Sequence, residues 1–332
     1  MNRLNDFSIE AISITPAAPS ETLEAMAAIW NAACEANLAT SSRLIAYNLA
    51  PVPAVHKLGW IVHKQDQPKG FVLASHAPSF DPGANKEAGW IDAIAVAPDA
   101  QGEGLGGALL ELAERGLSAA GCRHAQLGAG LRPLMPGLAT TLGSSSFFSR
   151  RGYRPPQDED QPVESVWDVA ADLAYYRPSE SAQEAACTVR PARPADQEAL
   201  LELLNREFPG RWTFECDDYL RSGGRISDYM LLWSERGLDG FCRLAFEDSL
   251  QPLERFYPYQ LRRPWGQLGP IGVSKTARGQ GLGSALMHAG LRRLHNNGVN
   301  GCIIDWTTLV DFYARFGFKP YREYLVLARD LE

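Results

Sequence analysis

Long apolar runs, paired cysteines and an excess of positive charge are all missing from these 332 residues. No apolar stretch approaches the ~18 residues that a membrane-spanning helix needs. The first twenty residues, MNRLNDFSIEAISITPAAPS, have no sustained apolar core and do not read as a secretory signal. Six cysteines (Cys34, Cys122, Cys187, Cys216, Cys242, Cys302) form no C-x-x-C pair, and six histidines show neither H-x-x-x-H nor H-E-x-x-H spacing. A disulfide framework and a metal site therefore both lack a basis, and free thiols in a reducing cytoplasm are expected. Against 32 Lys+Arg stand 39 Asp+Glu, a net charge of −7. Without a basic stripe, a nucleic-acid partner is not expected. An acidic surface is mildly favourable to a cationic small molecule such as an amine.

What is present is globular. Hydrophobic residues make up 45% and charged residues 21%, which excludes disorder for the bulk of the chain. At roughly 150 residues per domain, the length suggests two domains. An internal repeat supports this. IDAIAVAPDAQGEGLGGALL (91–110) matches LGPIGVSKTARGQGLGSAL (268–286) at a constant offset of 177 residues (279 minus 102), with Gly102, Gly104 and Gly106 falling on Gly279, Gly281 and Gly283. Further on, FFSRRGY (147–153) answers FYARFGF (312–318).

Between Tyr176 and Cys187 the chain reads YRPSESAQEAAC, a polar linker composition. The expected organisation is a first domain over 1–176, a linker over 177–186 and a second domain over 187–332. Each half opens with a strand and a helix, followed by a hairpin (GWIVHK with GFVLAS; DYMLLWSE with GFCRLAFE). A strand (WIDAIAV or LGPIGV), a glycine-rich turn, a helix and another strand (HAQLGAG or CIIDWT) come next. REYLVLA is expected as the last strand. The fold class is α/β, as two tandem mixed-sheet domains.

Each glycine loop lies between a strand and a helix start. Glycine permits positive φ and lets a ligand approach the backbone, while unpaired first-turn amides and the helix dipole favour an anion. No Lys-Ser/Thr pair follows either loop, which excludes a P-loop. As a dinucleotide fingerprint the pattern is weak, because Ser284 stands where the second copy needs its third glycine. Val-x-x-x-x-(Gln/Arg)-x-x-Gly-x-Gly fits both copies in full, over 96–106 and 273–283.

That pattern resembles the acyl-CoA loop of the GNAT superfamily of N-acyltransferases, and FYARFGF is similar to the same family's second motif. The resemblance implies, for each half, a mixed sheet splayed beside its fourth strand, with helices on both faces and acetyl-CoA as cofactor. Carried onto this sequence, the cofactor residues are Ala95, Val96, Gln101, Gly102, Glu103, Gly104, Leu105, Gly106 and Gly107 in the first half. In the second they are Ile271, Gly272, Val273, Arg278, Gly279, Gln280, Gly281, Leu282, Gly283 and Ser284. Backbone amides near Ile271 and Val273 would hold the pantetheine and thioester.

Acetyl transfer from a thioester to an amine needs a base for the ammonium proton, donors for the oxyanion and an acid for the leaving thiolate. By the same resemblance the acid is a tyrosine four residues before the glycine of the second motif, here Tyr313. The first half has Phe148 at that place, and a phenyl ring cannot donate a proton. The second domain is therefore expected to be catalytic and the first degenerate. For the base, Asp305 interrupts the apolar strand CIIDWT; an acid there is costly unless used or paired, though a turn-capping role fits equally. Asp311 reads as a solvated helix acid. Asp92 in WIDAIAV is either a base for an independent site or an outward-facing residue, and strand alternation favours the outward reading.

The second half carries FPGRW (208–212) and RRPWGQ (262–267), so Trp212, Trp265 and Trp306 are candidate acceptor contacts as well as candidate core residues. The motif glycines are 46 residues apart in the first half (152 minus 106) and 34 in the second (317 minus 283). The insertion, LRPLMPGLATTLGSSSFF, reads as a lid or an interdomain contact. The DWT…FY run resembles the tandem-domain glucosaminide N-acetyltransferases of bacteria. It implies a small-molecule amine acceptor of the aminosugar class, with the mycothiol-synthase-like subgroup and its cysteinyl amine as the other tandem choice. An acyl-CoA-binding sensor without turnover is the competing class, and Tyr313 weighs against it.

Overall fold

The structure, a computed structural model, describes residues 6–14, 18–78, 87–156, 163–177, 187–253 and 261–332. Residues 178–186, most of the expected linker, lie outside them. Two units divide the chain: unit 1 comprises 1–166 and 322–332, and unit 2 comprises 167–321. This departs from the expected boundaries. The tail of the second half belongs to unit 1, and the strand that closes the first half belongs mostly to unit 2. Such an exchange leaves each half's own pattern of strands and helices unchanged, so local sequence does not register it.

In unit 1 the strands β1 (Phe7–Ala11), β2 (His56–Lys64), β3 (Gln67–His76), β4 (Ala88–Val96) and β5 (His124–Leu127) form one sheet. The order is β1-β2-β3-β4-β5-β14, where β14 is Ala328–Asp330. Only β4 and β5 run parallel. The two-residue β6 (Leu138–Ala139) pairs with Tyr324 and Leu325, the end of β13 (Lys319–Leu325). Helices α1 (Ser20–Ala33), α2 (Ser42–Leu49), α3 (Leu105–Ala119) and α4 (Ser145–Ser149) complete the unit.

Unit 2 repeats the plan with β8 (Thr188–Pro191), β9 (Tyr229–Ser234), β10 (Gly237–Phe246), β11 (Trp265–Val273) and β12 (Gly301–Thr307). Residues 167–172 of β7 (Ser165–Asp172) lie antiparallel to β12. Alternation along β9 and β10 sorts the side chains onto two faces. Tyr229, Leu231 and Phe241 pack with α5 (Gln197–Glu207) and α6 (Arg211–Arg221), while Met230, Leu232, Cys242 and Leu244 pack with α7 (Leu282–Asn296). On α7 the buried residues Leu282, Leu286, Met287, Leu291 and Leu294 recur at helical spacing and form the stripe that meets this face. The short α8 (Val310–Ala314) carries Tyr313.

The repeat extends to hydrogen-bond register. Ala88 pairs with His124 in unit 1 and Trp265 with Gly301 in unit 2, the same positions one repeat apart. Both parallel pairings then stop early. β4 leaves β5 after Ile91 and Leu127, and β11 leaves β12 after Gln267 and Ile303. Each fourth strand also bulges just beyond the last pair: Asp92 is the extra residue between Ile91 and Ala93, and Gly269–Pro270 face Arg243 alone. A bulge bends its strand and ends pairing. The sheet is therefore split in each unit beside its fourth strand, the splay expected from the family resemblance.

Candidate active site

The glycine loops sit at the split ends of β4 and β11. Gly102 and Gly104 have φ of 78° and 94°, and Gly279 and Gly281 have φ of 78° and 77°. Side chains there would be strained, and nothing lies within 4 Å of where a Cβ would stand. Gly104 and Gly281 cap α3 and α7 without any side-chain hydrogen bond, so first-turn amides face an open loop. The residue opening each loop ties back to its strand: Gln101 Nε2 donates to the Val96 carbonyl at 3.0 Å, and Arg278 Nε to the Val273 carbonyl at 3.4 Å.

Charge distinguishes the two loops. Loop 1 carries Glu103, paired with Lys64 at 3.2 Å. Loop 2 carries neutral Gln280 and the Arg278 guanidinium, and so favours an anion more strongly. In each unit an arginine stacks on the first phenylalanine of the second motif: Arg151 over Phe147 at 3.8 Å and Arg315 over Phe312 at 4.7 Å. Those rings lie beside the first helical turn, 3.5 Å from a Cβ placed on Gly106 and 3.8 Å from one placed on Gly283.

In unit 2 the split holds Asp305, whose Oδ1 accepts a hydrogen bond from Gln267 Nε2 at 2.7 Å. Asp305 and Trp306 form a bulge in β12: Ile304 pairs with Val169 and Thr307 with Trp167, leaving two residues opposite Asp168. Trp306 has φ of 52°, uncommon for a bulky residue, and its amide donates to Asp168 Oδ1 at 3.2 Å. The indole lies under the Arg211 guanidinium at 4.4 Å. Tyr313 is buried. Burial pushes its phenol up to about 12, with the charge of Asp305 adding to the rise and a Thr307 hydrogen bond opposing it. The tyrosine therefore keeps its proton through neutral pH.

The other expected residues have mixed placements. Asp311 is exposed, and Phe148 is buried edge-on to Phe147 and Tyr153. Trp212 packs against Phe208 and Phe241, while Trp265 is buried at the start of β11, where the strands still pair. Of the three tryptophans, Trp306 adjoins the split. The outward reading of Asp92 is corrected: the residue is buried, and its Oδ2 pairs with Lys57 Nζ at 3.2 Å. The bulge interrupts the alternation on which the outward reading relied. The insertion packs inside unit 1, where Ala129 N donates to the Met135 carbonyl at 2.9 Å and Arg132 covers Tyr47 at 4.6 Å. Met135, Gly137 and Leu138 wall a cavity of about 600 Å³ that reaches the glycine loop of that unit.

Asp168 and Thr307 were not singled out from sequence, and Gln267 only as the amide that ends RRPWGQ. Asp168 had a usable signal, since it interrupts the apolar run of SVWDVAAD as Asp305 interrupts CIIDWT. The contacts of Gln267 and Thr307 have no comparable local mark.

The sequence profile of the acetyltransferase (GNAT) family matches residues 24–132 and 197–318. The chain belongs to that family. It is similar to the mycothiol acetyltransferases of Catenulispora acidiphila, 26% identical over 274 residues (77% of each chain), and Nocardia farcinica, 26% identical over 238 residues (68% of this chain, 70% of the relative). Among solved structures, the GCN5-related glucosamine N-acetyltransferase region of a fungal multi-domain GH3 β-N-acetylglucosaminidase matches 97% of the chain with TM-score 0.81 and 20% identity. This chain spans 38% of that longer protein. A tandem GNAT protein from the clavulanic acid biosynthesis pathway matches 98% of the chain and 99% of its own length, with TM-score 0.69 and 16% identity. The structural likenesses establish the tandem fold. The chain is an N-acetyltransferase and uses acetyl-CoA. Two open glycine loops with uncapped first-turn amides, each beside a split strand, suit that cofactor. No helix among the described residues is long and apolar enough to cross a membrane.

Proposed function

We propose that acetyl transfer takes place in unit 2, to the primary amine of a small molecule, with an aminosugar such as glucosamine as the acceptor. Acetyl-CoA, when bound, supplies the acetyl thioester. Gly279–Ser284 and the Arg278 guanidinium hold its diphosphate, and the free edge of β11 at Ile271–Val273 holds its arm. The first half's loop, Gln101–Gly107, offers a second and less cationic cradle. Asp305 takes the proton from the acceptor ammonium, and Gln267 keeps the carboxylate in place. Tyr313 gives its hydroxyl proton to the departing sulfur. The observation that carries this reading is Asp305 at the split of unit 2, held by Gln267 at 2.7 Å, together with a buried tyrosine in the second motif, where unit 1 has Gly128 and Phe148.

The acceptor assignment draws on Trp306, an aromatic surface next to Asp305, and on the glucosamine-specific name of one structural neighbour. A cysteinyl amine is the second reading, favoured by the names of both curated relatives. Thiol release from acetyl-CoA, measured with glucosamine, a cysteinyl aminosugar and lysine, tests both. Glucosamine is expected to give the highest kcat/KM. Tenfold preference for the cysteinyl amine would transfer the assignment to the second reading, and no thiol release with any amine would contradict both.

A further inference from the structure

The two units line their splits with different chemistry. In unit 2 a carboxylate and an amide stand there, Asp305 held by Gln267 at 2.7 Å. One repeat away, unit 1 has Gly128 in place of Asp305 and Trp90 in place of Gln267. Asp92 borders the cavity of about 600 Å³, but its side chain is fully buried (0% exposed) and paired with Lys57, so it presents no carboxylate to that space. The other polar side chains of the lining are Gln101, Ser144 and Arg151. Gln101 opens the glycine loop, and Arg151 Nη2 stands 3.1 Å from a Cβ placed on Gly107, at the first turn of α3.

The rest of the wall is apolar. Ile91 and Leu127, the last pair before β4 leaves β5, line it with Trp30, Leu38 and Met135. The Trp30 indole N–H donates to the Leu38 carbonyl at 2.7 Å, so neither asks for a polar ligand. Ala33 and Cys34, at the C-terminal end of α1, are half-buried in the same lining. Burial pushes the Cys34 thiol up to about 12, with the charge of Glu35 adding to the rise, so it stays neutral. A wall without a base or an acid gives an amine nothing to react with, but it takes hydrocarbon well. We propose that unit 1 binds acyl-CoA with a medium-length acyl chain, such as hexanoyl, and holds it without transfer. The diphosphate lies at the loop beside Arg151, and the chain fills the apolar part of the cavity. Each methylene taken out of water is worth roughly a fourfold rise in affinity when fully buried. The inference rests on the reading of Gln101–Gly107 as a CoA cradle; what it adds is the acyl group that this unit selects.

Titration calorimetry with acetyl-CoA and hexanoyl-CoA tests it on full-length Gly281→Glu, in which the cradle of unit 2 is blocked. Hexanoyl-CoA should bind at least about tenfold more tightly than acetyl-CoA, and no thiol should be released from it with a saturating amine. Gly104→Glu, which leaves only the cradle of unit 2, should show no such preference. Ala33→Trp, added to Gly281→Glu at a half-buried position, should narrow the apolar part and bring hexanoyl-CoA down to the affinity of acetyl-CoA. Equal affinity for the two thioesters in Gly281→Glu overturns the inference. So does a preference that persists in Gly104→Glu or in folded Ala33→Trp, or thiol release from hexanoyl-CoA in Gly281→Glu. Failure of the cradle reading itself would look different, as no binding of either thioester to folded Gly281→Glu.

Discussion

Asp168 accepts the backbone N–H of Trp306 at 3.2 Å, across the point where β12 bulges between Ile304 and Thr307. The strand bearing Asp168 comes from the first half of the sequence and joins β12 in the sheet of unit 2. The contact fixes the backbone from which the Asp305 side chain projects. Asp168→Ala should therefore lower kcat about tenfold with little change in CoA affinity. Asp168→Asn, which retains an accepting oxygen, should recover much of that loss. Losing this charged acceptor should also cost on the order of 1–3 kcal/mol of stability, read by denaturant unfolding. Equal losses of kcat in both variants, each fully folded, would argue against a positioning role.

The unequal charge of the two loops predicts unequal effects of the same substitution. Gly281→Glu places a carboxylate and a strained side chain in the cradle of unit 2 and should abolish turnover. Gly104→Glu does the same in unit 1 and should leave most of kcat intact. Calorimetry with CoA should show one site lost in each variant. Abolished turnover in a folded Gly104→Glu protein would place the chemistry in unit 1 or couple it strictly to that unit.

Tyr313, with its phenol pushed up to about 12 by burial and by Asp305, must be protonated to act. The fraction competent to donate a proton is complete at neutral pH and declines only as pH approaches 12. No alkaline loss of kcat/KM from this residue is expected below about pH 10, near where an unperturbed tyrosine titrates. Since the folded value lies above the unfolded one, its linked contribution to stability is likewise complete below pH 10 and is lost above it. A Tyr313-dependent fall in rate centred near pH 9, absent from a phenylalanine variant, would contradict the burial-driven shift.

Asp196 makes the opposite prediction at acid pH. Arg190 donates to its two oxygens at 2.6 and 2.9 Å, and the Arg193 amide adds a third hydrogen bond at 2.7 Å. These hold the carboxyl down to about 2, the Arg190 side chain contributing most. The resulting stability is present above the ordinary aspartate value near ~4 and is lost as pH falls through 2. Melting curves between pH 5 and pH 2 should show a smaller acid-induced fall for Asp196→Asn than for the wild type.

The cradle was legible in sequence because its demands are local. Glycines at fixed spacing after a strand set a positive-φ turn and a helix start, and duplication at one offset gave two independent readings of it. Tyr313 and Asp305 stood out as candidates for related reasons, one from its motif and the other as an acid within an apolar strand. Strand exchange was not, since residues 167–172 pair with β12 through contacts far apart in sequence. Asp92 was misread because period-two reasoning assumes an unbroken pleat, and a single extra residue at the bulge reverses which face a side chain meets. Gln267 became part of the site only when the register of β11 on β12 brought it to Asp305.

In the proposed reaction Tyr313 protonates the departing sulfur in unit 2. Removing only its hydroxyl with Tyr313→Phe keeps the packing ring, and kcat for thiol release with a saturating amine then reads the chemistry alone. A loss of about 10²–10⁴ in kcat is expected, the range for a general acid, with CoA affinity unchanged. Combined with Asp305→Asn, the double variant should lose less than the product of the two single losses, since both groups serve one transition state. Near-wild-type kcat in Tyr313→Phe would contradict the account and reduce Tyr313 to a packing residue.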